Sequence, residues 1–368
     1  MTNTLFQIAL TRIPKVGPVT AKNLISYCGS PEAVFRQRKA ALLKIPGVGE
    51  EIASRVLHAR EIFSEAEQIL EQCSRKQVRI LFYLDKGFPR RLHHIPDSPL
   101  VLYVKGTPDL NHPRMLAMVG TRSPSSFGRE MTEKLIKDLS TYNVLIISGL
   151  AYGIDIAAHQ YCLRSGVPTI GILGSGFGRI YPFAHRHVAQ RMIESEGGLV
   201  TEFEYATGPD RENFPMRNRL IAGLSDAVII VESARKGGSM ITANMANDYN
   251  KDVFAVPGRP VDAKSQGCNA LIRENRAHLA GDGMDIARLL RWKEPDELTA
   301  IQRQIFVELD EDEKLIAEMV KAHREPEIDF LLHLSKMQMS KLATVLLSLE
   351  FKGVVKSLPG KKYKYLHQ

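Results

Sequence analysis

Short, largely apolar runs alternate with helix-length segments through the middle of the chain, and this alternation restricts the fold more than any other feature. The runs lie at 116–119, 144–147, 169–173, 199–201 and 227–231. A strand with one face in water alternates apolar and polar residues, whereas a parallel strand covered on both faces is apolar throughout. Helix-length segments between such runs form right-handed crossovers. The pattern predicts an α/β fold: a doubly wound, Rossmann-like parallel sheet with helices at 128–139 and 154–163. Two further strands are expected at 78–84 and 100–104, and a closing helix near 268–279.

Ligands of such sheets bind outside the carboxyl ends of the strands. Four turns fall on that edge: Gly120-Thr121-Arg122, the 148–153 segment beginning Ser148-Gly149, the glycines Gly174, Gly176 and Gly178, and Gly237-Gly238-Ser239. The 213–258 stretch is the richest in signals. Phe214-Pro215 opens a helix, Arg217-Asn218-Arg219 follows in its first turns, 227–231 is a buried strand, and Gly237-Gly238 precedes a second helix. Backbone amides at a helix start bind phosphate, and glycines permit close approach. Arg217 and Arg219 lie about 200° apart around a helix, so they do not both face one phosphate. Arg217 shares a face with Leu220, Ile221 and Leu224. Arg122 and Arg211 sit in loops beside Phe214, and cations next to an aromatic ring suit a single strand of nucleic acid.

Several enzyme chemistries are disfavoured. The Gly174 run reads GxGxG, not GxGxxG, with no acidic residue placed for a ribose, and no Walker lysine motif occurs; no cofactor is expected. The 237–244 segment resembles the phosphate loop of nucleoside-monophosphate phosphoribohydrolases, but Asn244 stands where their catalytic Glu would be. Asp155 and His159, and His185 and His187, read as structural hydrogen-bonding groups, with Asp155 favoured by its place in a first helical turn.

The ends differ from the middle. Near the N-terminus, Ile13-Pro14-Lys15-Val16-Gly17 recurs 32 residues later as Ile45-Pro46-Gly47-Val48-Gly49. Each copy reads helix, tight turn, helix: a tandem helix-hairpin-helix (SAM-like) domain over 1–76, a motif that serves nucleic-acid and protein contacts alike. The sheet domain is expected over 77–290. An acidic segment with Asp296, Glu297, Glu308 and Asp310 to Glu313 reads as a linker or solvated helix face. Within 291–368, helices at 314–320, 328–332 and 339–349 precede strands at 353–356 and 362–365, a winged-helix pattern. Its wing carries Lys356, Lys361, Lys362 and Lys364 and suits either DNA or a protein surface.

With 368 residues the chain is long enough for two or three domains, and its net charge of +8 favours an anionic partner. The four cysteines are too scattered for a zinc site or disulfide framework and fit a reducing, cytoplasmic setting. Gln7, Thr11, Arg12 and Lys15 interrupt the first apolar run, so no signal peptide is expected, and no segment approaches the ~20 apolar residues of a membrane span.

An ordered series of motifs resembles the DNA-processing protein A (DprA, Smf) family. It comprises Gly120-Thr121-Arg122, the 148–155 segment with Ala158-His159, Tyr181-Pro182, the 214–225 segment, Gly238 to Ala243, Val256-Pro257-Gly258 and Gly267 to Ile272. Gly237 departs from the family's usual Ser, and Glu274 to Ala277 from its usual Gly-Ala ending. The resemblance implies a non-enzymatic protein that binds single-stranded DNA, dimerises through the sheet domain and loads RecA recombinase onto the strand during natural transformation. It places the DNA site at Arg122, at Arg211 and Phe214, and at the Arg217-Asn218-Arg219 helix start, beside Gly120, Thr121, Ser148, Gly149, Gly237, Gly238 and Ser239.

Overall fold

The computed structural model of the protein describes residues 3–292, 309–323, 325–352 and 354–366. The chain divides into two units, Met1–Trp292 and Lys293–Gln368.

In the first unit the apolar runs become β3 (Met115–Val119), β4 (Leu145–Ser148), β5 (Thr169–Ile172), β6 (Gly198–Thr201) and β7 (Ala227–Ile230). They are preceded by β1 (Arg79–Phe82) and β2 (Val101–Gly106), and followed by β8 (Asp252–Ala255) and β9 (His278–Leu279). Among the described residues these form one sheet in the order β1-β2-β6-β5-β4-β3-β7-β8-β9. Pairing is parallel from β6 through β9. At the other edge β2 pairs antiparallel with both β1 and β6, so the sheet is mixed where an all-parallel one was expected.

The crossovers are α7 (Ser126–Ser140), α8 (Ile154–Ser165), α9 (Arg186–Glu194), α10 (Asn213–Leu224), α11 (Gly238–Asp248) and α12 (Gln266–Arg273), and α13 (Gly283–Leu289) follows the last strand. Successive residues of a strand point to opposite faces, and both faces are covered. Met115, Ala117 and Val119 of β3 pack in a core with Leu220, Ile221 and Leu224 of α10 and Ala243 of α11. Leu116 and Met118 pack with Leu135, Ile136 and Leu139 of α7 and Ile154 of α8. The chain leaves β3 towards β4 and β5 and returns to the other side of β3 as β7. That reversal opens a crevice at the carboxyl ends of β3 and β7.

The expected helix over 268–279 is shorter. It ends at Arg273, Asn275 enters the left-handed region at φ 53°, and His278–Leu279 pairs with Phe254–Ala255 as β9. Asparagine tolerates that conformation and stops the helix.

Ahead of the sheet lie α1 (Asn3–Thr11), α2 (Pro18–Cys28), α3 (Pro31–Phe35), α4 (Lys39–Leu42), α5 (Glu50–Leu57) and α6 (Arg60–Arg75). The two repeat turns adopt matching backbones: Lys15 has φ 66° where the second copy places Gly47 at 83°. Ile13, Val16, Ile45 and Val48 of the turns are buried together.

In the second unit α14 (Glu311–Ala322), α15 (Ile328–Ser335) and α16 (Met339–Phe351) precede the antiparallel hairpin of β10 (Val355–Leu358) and β11 (Lys362–Tyr365). Ile316, Val320, Leu331, Leu342 and Leu346 form its core. Asp296, Glu297, Glu308 and Gly353 lie outside the described residues. The acids at 310–313 are not a solvated face throughout. Asp310 and Glu313 form a capping box on α14, and the buried Glu313 carboxylate accepts from Ser348 Oγ and Lys352 Nζ at 2.6 Å each. Among the described residues no helix is long and apolar enough to cross a membrane.

Candidate functional site

A cavity of about 320 Å³ lies at the carboxyl ends of β3 and β7. The turn after β3 brings Gly120, Thr121 and Arg122 to it, and α10 brings Phe214, Arg217 and Asn218. Ser233 and Ala234 follow β7, and Gly237, Gly238 and Ser239 begin α11. Gly237 caps α11 without any side-chain hydrogen bond. The Met240 amide donates to the Gly237 carbonyl at 3.0 Å; the first amides of a helix otherwise lack an acceptor within it, so they and the helix dipole favour an anion here. Ser239 Oγ donates to Ser233 Oγ at 2.8 Å and ties the helix start to the end of β7.

Arg217 is 5% exposed. Its Nη1 donates to the Ile172 carbonyl at 3.0 Å, and its buried Nε has no hydrogen-bond partner among the described residues. The guanidinium and the Asp155 carboxylate lie on either side of Gly149, where a Cβ would overlap both groups. Burial pushes the Asp155 carboxyl up to about 6, against the opposing pull of Arg217, the Ala151 amide, Arg122 and Ser148. Burial likewise lowers the Arg217 pKa, and Asp155 counters it. His159 Nε2 donates to the Gly149 carbonyl at 2.6 Å, while Nδ1 lies 2.7 Å from Thr169 Oγ1. Burial pushes His159 down to about 4, so a neutral imidazole holds this turn in place at neutral pH.

Arg122 is exposed at the cavity's edge, on a braced loop. The Thr121 amide donates to the Glu232 carbonyl at 2.7 Å, and the Ile154 amide donates to the Thr121 carbonyl at 3.1 Å. Gly153 makes that second approach possible: its φ is 90°, and a Cβ would run into the Thr121 carbonyl. Beyond Arg122, the Glu232 carboxylate accepts from the Ser125 amide and hydroxyl at 2.8 Å each, and Lys264 Nζ donates to the Ser123 carbonyl at 2.6 Å. The Phe214 ring abuts Gly174, lies 5.8 Å from the Tyr181 ring and lines the cavity.

Four residues expected in the site stand elsewhere. Arg219 faces away from Arg217: its guanidinium is buried on Glu202 and the Asp97 carbonyl. Ser148 is buried, its hydroxyl donating to the Met118 carbonyl at 2.6 Å. Gly149 lies behind Arg217 as a spacer, and Arg211 is exposed on the segment before α10. Asn244 is exposed on α11, where its Oδ1 accepts from Arg276 at 2.7 Å, and it does not line the cavity. Sequence reasoning took Asp155 for a first-turn residue alone. It lines the cavity, and the Gly-Ile-Asp sequence at a helix start signalled the position without signalling the burial. Tyr152 and Tyr181, named above only within the family motifs and given no place in the site, line a narrower cleft beside Phe214 and Arg217.

Residues 79–291 match the family model described as DNA recombination-mediator protein A. The chain belongs to this family. Residues 7–60 match the SAM-like helix-hairpin-helix tandem, in agreement with the repeat. The chain is 35% identical to Protein Smf of Synechocystis over 288 residues, 77% of this chain and 72% of that one. It is 39% identical to the DNA processing protein DprA of Streptococcus pneumoniae over 203 residues, 55% of this chain and 71% of that one. Among solved structures, that of DNA processing protein A from Streptococcus pneumoniae superposes with a TM-score of 0.67 at 29% identity, covering 80% of this chain and 99% of that one. The family member from Helicobacter pylori, whose structure concerns its single-stranded DNA binding mode, gives 0.53 at 30% identity, covering 58% of this chain and 95% of that one.

Proposed function

We propose that this protein binds single-stranded DNA along a groove built around the β3–β7 cavity and serves, without catalysis, as a recombination mediator. One observation carries the reading: an uncapped helix start, two guanidiniums and an aromatic ring meet at a single cavity. The α11 amides and Arg217 hold one phosphate, the exposed Arg122 holds the next, and Phe214 offers a face to a base. Two anion sites and a ring suit a strand better than a single cofactor. The family relationship and the Helicobacter pylori relative support the choice of ligand. The place of Asn244, exposed and bonded to Arg276, supports a phosphate cradle over a nucleotide hydrolase.

In the same proposal the protein protects incoming strands, loads RecA recombinase onto them during natural transformation, and works in the cytoplasm as a homodimer through the sheet domain. The working division is 1–76, 77–290 and 291–368. The last part is read as a winged helix on its three helices and basic hairpin, and with the first it supplies DNA or protein contacts. The test is fluorescence anisotropy with labelled oligo-dT over a range of salt. Arg122→Ala weakens binding and reduces the slope of log affinity against log salt by ~0.7, the value for one contact on a single strand. Wild-type affinity and slope in that variant would overturn the site.

A further inference from the structure

Large aromatic side chains are exposed together beside the cavity. Tyr152, Tyr181 and Phe183 are 51%, 50% and 72% exposed. Exposed rings on a well-packed sheet domain forgo burial that the fold readily gives elsewhere, and clustered apolar exposure of this kind marks a contact surface. Tyr181 and Tyr152 line one cleft together with Phe214, Arg122 and Arg217, so the surface is continuous with the cavity. The rings are held. Tyr152 stands edge-on to His185 at 4.7 Å, and His185 is buried with Nδ1 2.7 Å from the Leu150 carbonyl. Phe183 carries the Arg186 guanidinium 4.8 Å over its ring.

The segment that carries Tyr181 and Phe183 is basic. From 156 to 193 the chain contains no Asp or Glu, while Arg179, Arg186, His187 and Arg191 are exposed there. Aromatic platforms interleaved with cations suit a strand of phosphates and bases, since the rings take the bases while the cations take the backbone.

We propose that the strand's path continues out of the cavity over Tyr152, Tyr181 and Phe183, which stack bases, while Arg179 and Arg186 meet the phosphates between them. This rests on the single-stranded DNA reading and adds the direction in which the strand leaves the cavity and a second, stacking half of the site. The cavity sets the backbone; the ring surface sets how many nucleotides are engaged.

The experiment is the dependence of affinity on strand length, with the full-length protein and oligo-dT of about 4 to about 16 nucleotides. Tyr152→Ala and Phe183→Ala, both at exposed positions, keep the wild-type Tm, and Phe183→Ala, outside the cleft, binds the shortest strands as the wild type does. Both variants bind the longer ones about five- to a hundredfold more weakly, the range for loss of one stacked base. Phe183→Trp restores the affinity for long strands. Abasic spacers at the outer positions weaken wild-type binding and leave Phe183→Ala unchanged. Wild-type binding by both alanine variants at every length would overturn the stacking surface and assign the rings to a protein contact, while the cavity reading stands. A wild-type protein that binds no oligo-dT would overturn both.

Discussion

Asp155 makes the ligand site sensitive to pH, and the size of the effect follows from its burial. Its carboxyl rises from the ordinary 3.8 to about 6, with burial as the main cause and Arg217, the Ala151 amide, Arg122 and Ser148 opposing. At about 1.36 kcal/mol per pH unit, ionising Asp155 inside the fold costs ~3 kcal/mol more than in the unfolded chain. Because the folded pKa is the higher one, this stability is fully present below the unfolded value, declines as pH rises through about 6, and is absent above it. Going from pH 7 to pH 5 should therefore stabilise the fold by ~1 kcal/mol through this group.

A phosphate bound at the α11 start and Arg217 places a second negative charge beside Asp155 and raises its pKa further, so binding takes up a proton. Affinity for oligo-dT should rise as pH falls from 8 to 6, by up to about tenfold per pH unit in the limit of one full proton. Asp155→Asn keeps an acceptor for the Ala151 amide and removes the charge. The variant should bind more tightly than wild type at pH 8 and show a flattened pH profile, measured by anisotropy at constant ionic strength. The charged and titratable neighbours in contact with this region are Arg217, Arg122, His159 and His185, and all remain in the variant, so any slope they cause persists. His159, pushed down to about 4, stays neutral over this range. An Asp155→Asn profile parallel to that of the wild type would refute the linkage.

Two further outcomes separate the groups at the site from those behind it. Arg219→Ala leaves the buried Glu202 without its partner. Breaking a buried pair in this way costs ~3–5 kcal/mol, a fall in Tm of roughly 10 °C by calorimetry, while the folded protein binds oligo-dT with unchanged affinity. A loss of affinity without loss of Tm would return Arg219 to the DNA contact. Gly149→Ala forces a methyl group against Arg217 and Asp155. It should destabilise by ~1–3 kcal/mol and reduce binding together, and a variant with wild-type Tm and affinity would show that the spacer is dispensable.

What could be read from the chain and what could not divide along a physical line. The strand at 227–231 announces itself because burial on both faces leaves no polar position, and the turns after β3, β4 and β7 follow from where parallel strands must end. β9 is only two residues long, His278–Leu279, and both are exposed, so no apolar run marked it; the left-handed Asn275 alone ended the preceding helix. The angular separation of Arg217 and Arg219 on one helix was legible, since it depends on local geometry. Which of the two faces the cavity was not, because that depends on where Glu202, after β6, and Asp155, at the start of α8, come to lie. Both arginines are nearly buried; Arg219 pairs with the Glu202 carboxylate, while Arg217 is attracted to the Asp155 carboxylate without a direct ion pair. Arg219 is closed off by two partners on the far side of α10. Arg217 has one carbonyl and an Nε left over at the edge of a cavity. A buried donor without a partner is costly to a fold that gains nothing from it, and an anion in the cavity would satisfy it. What distinguishes Arg217 from Arg219, and on the proposed reading a ligand-binding arginine from a structural one, is what the neighbouring crossovers leave unpaired, a property no stretch of α10 contains by itself.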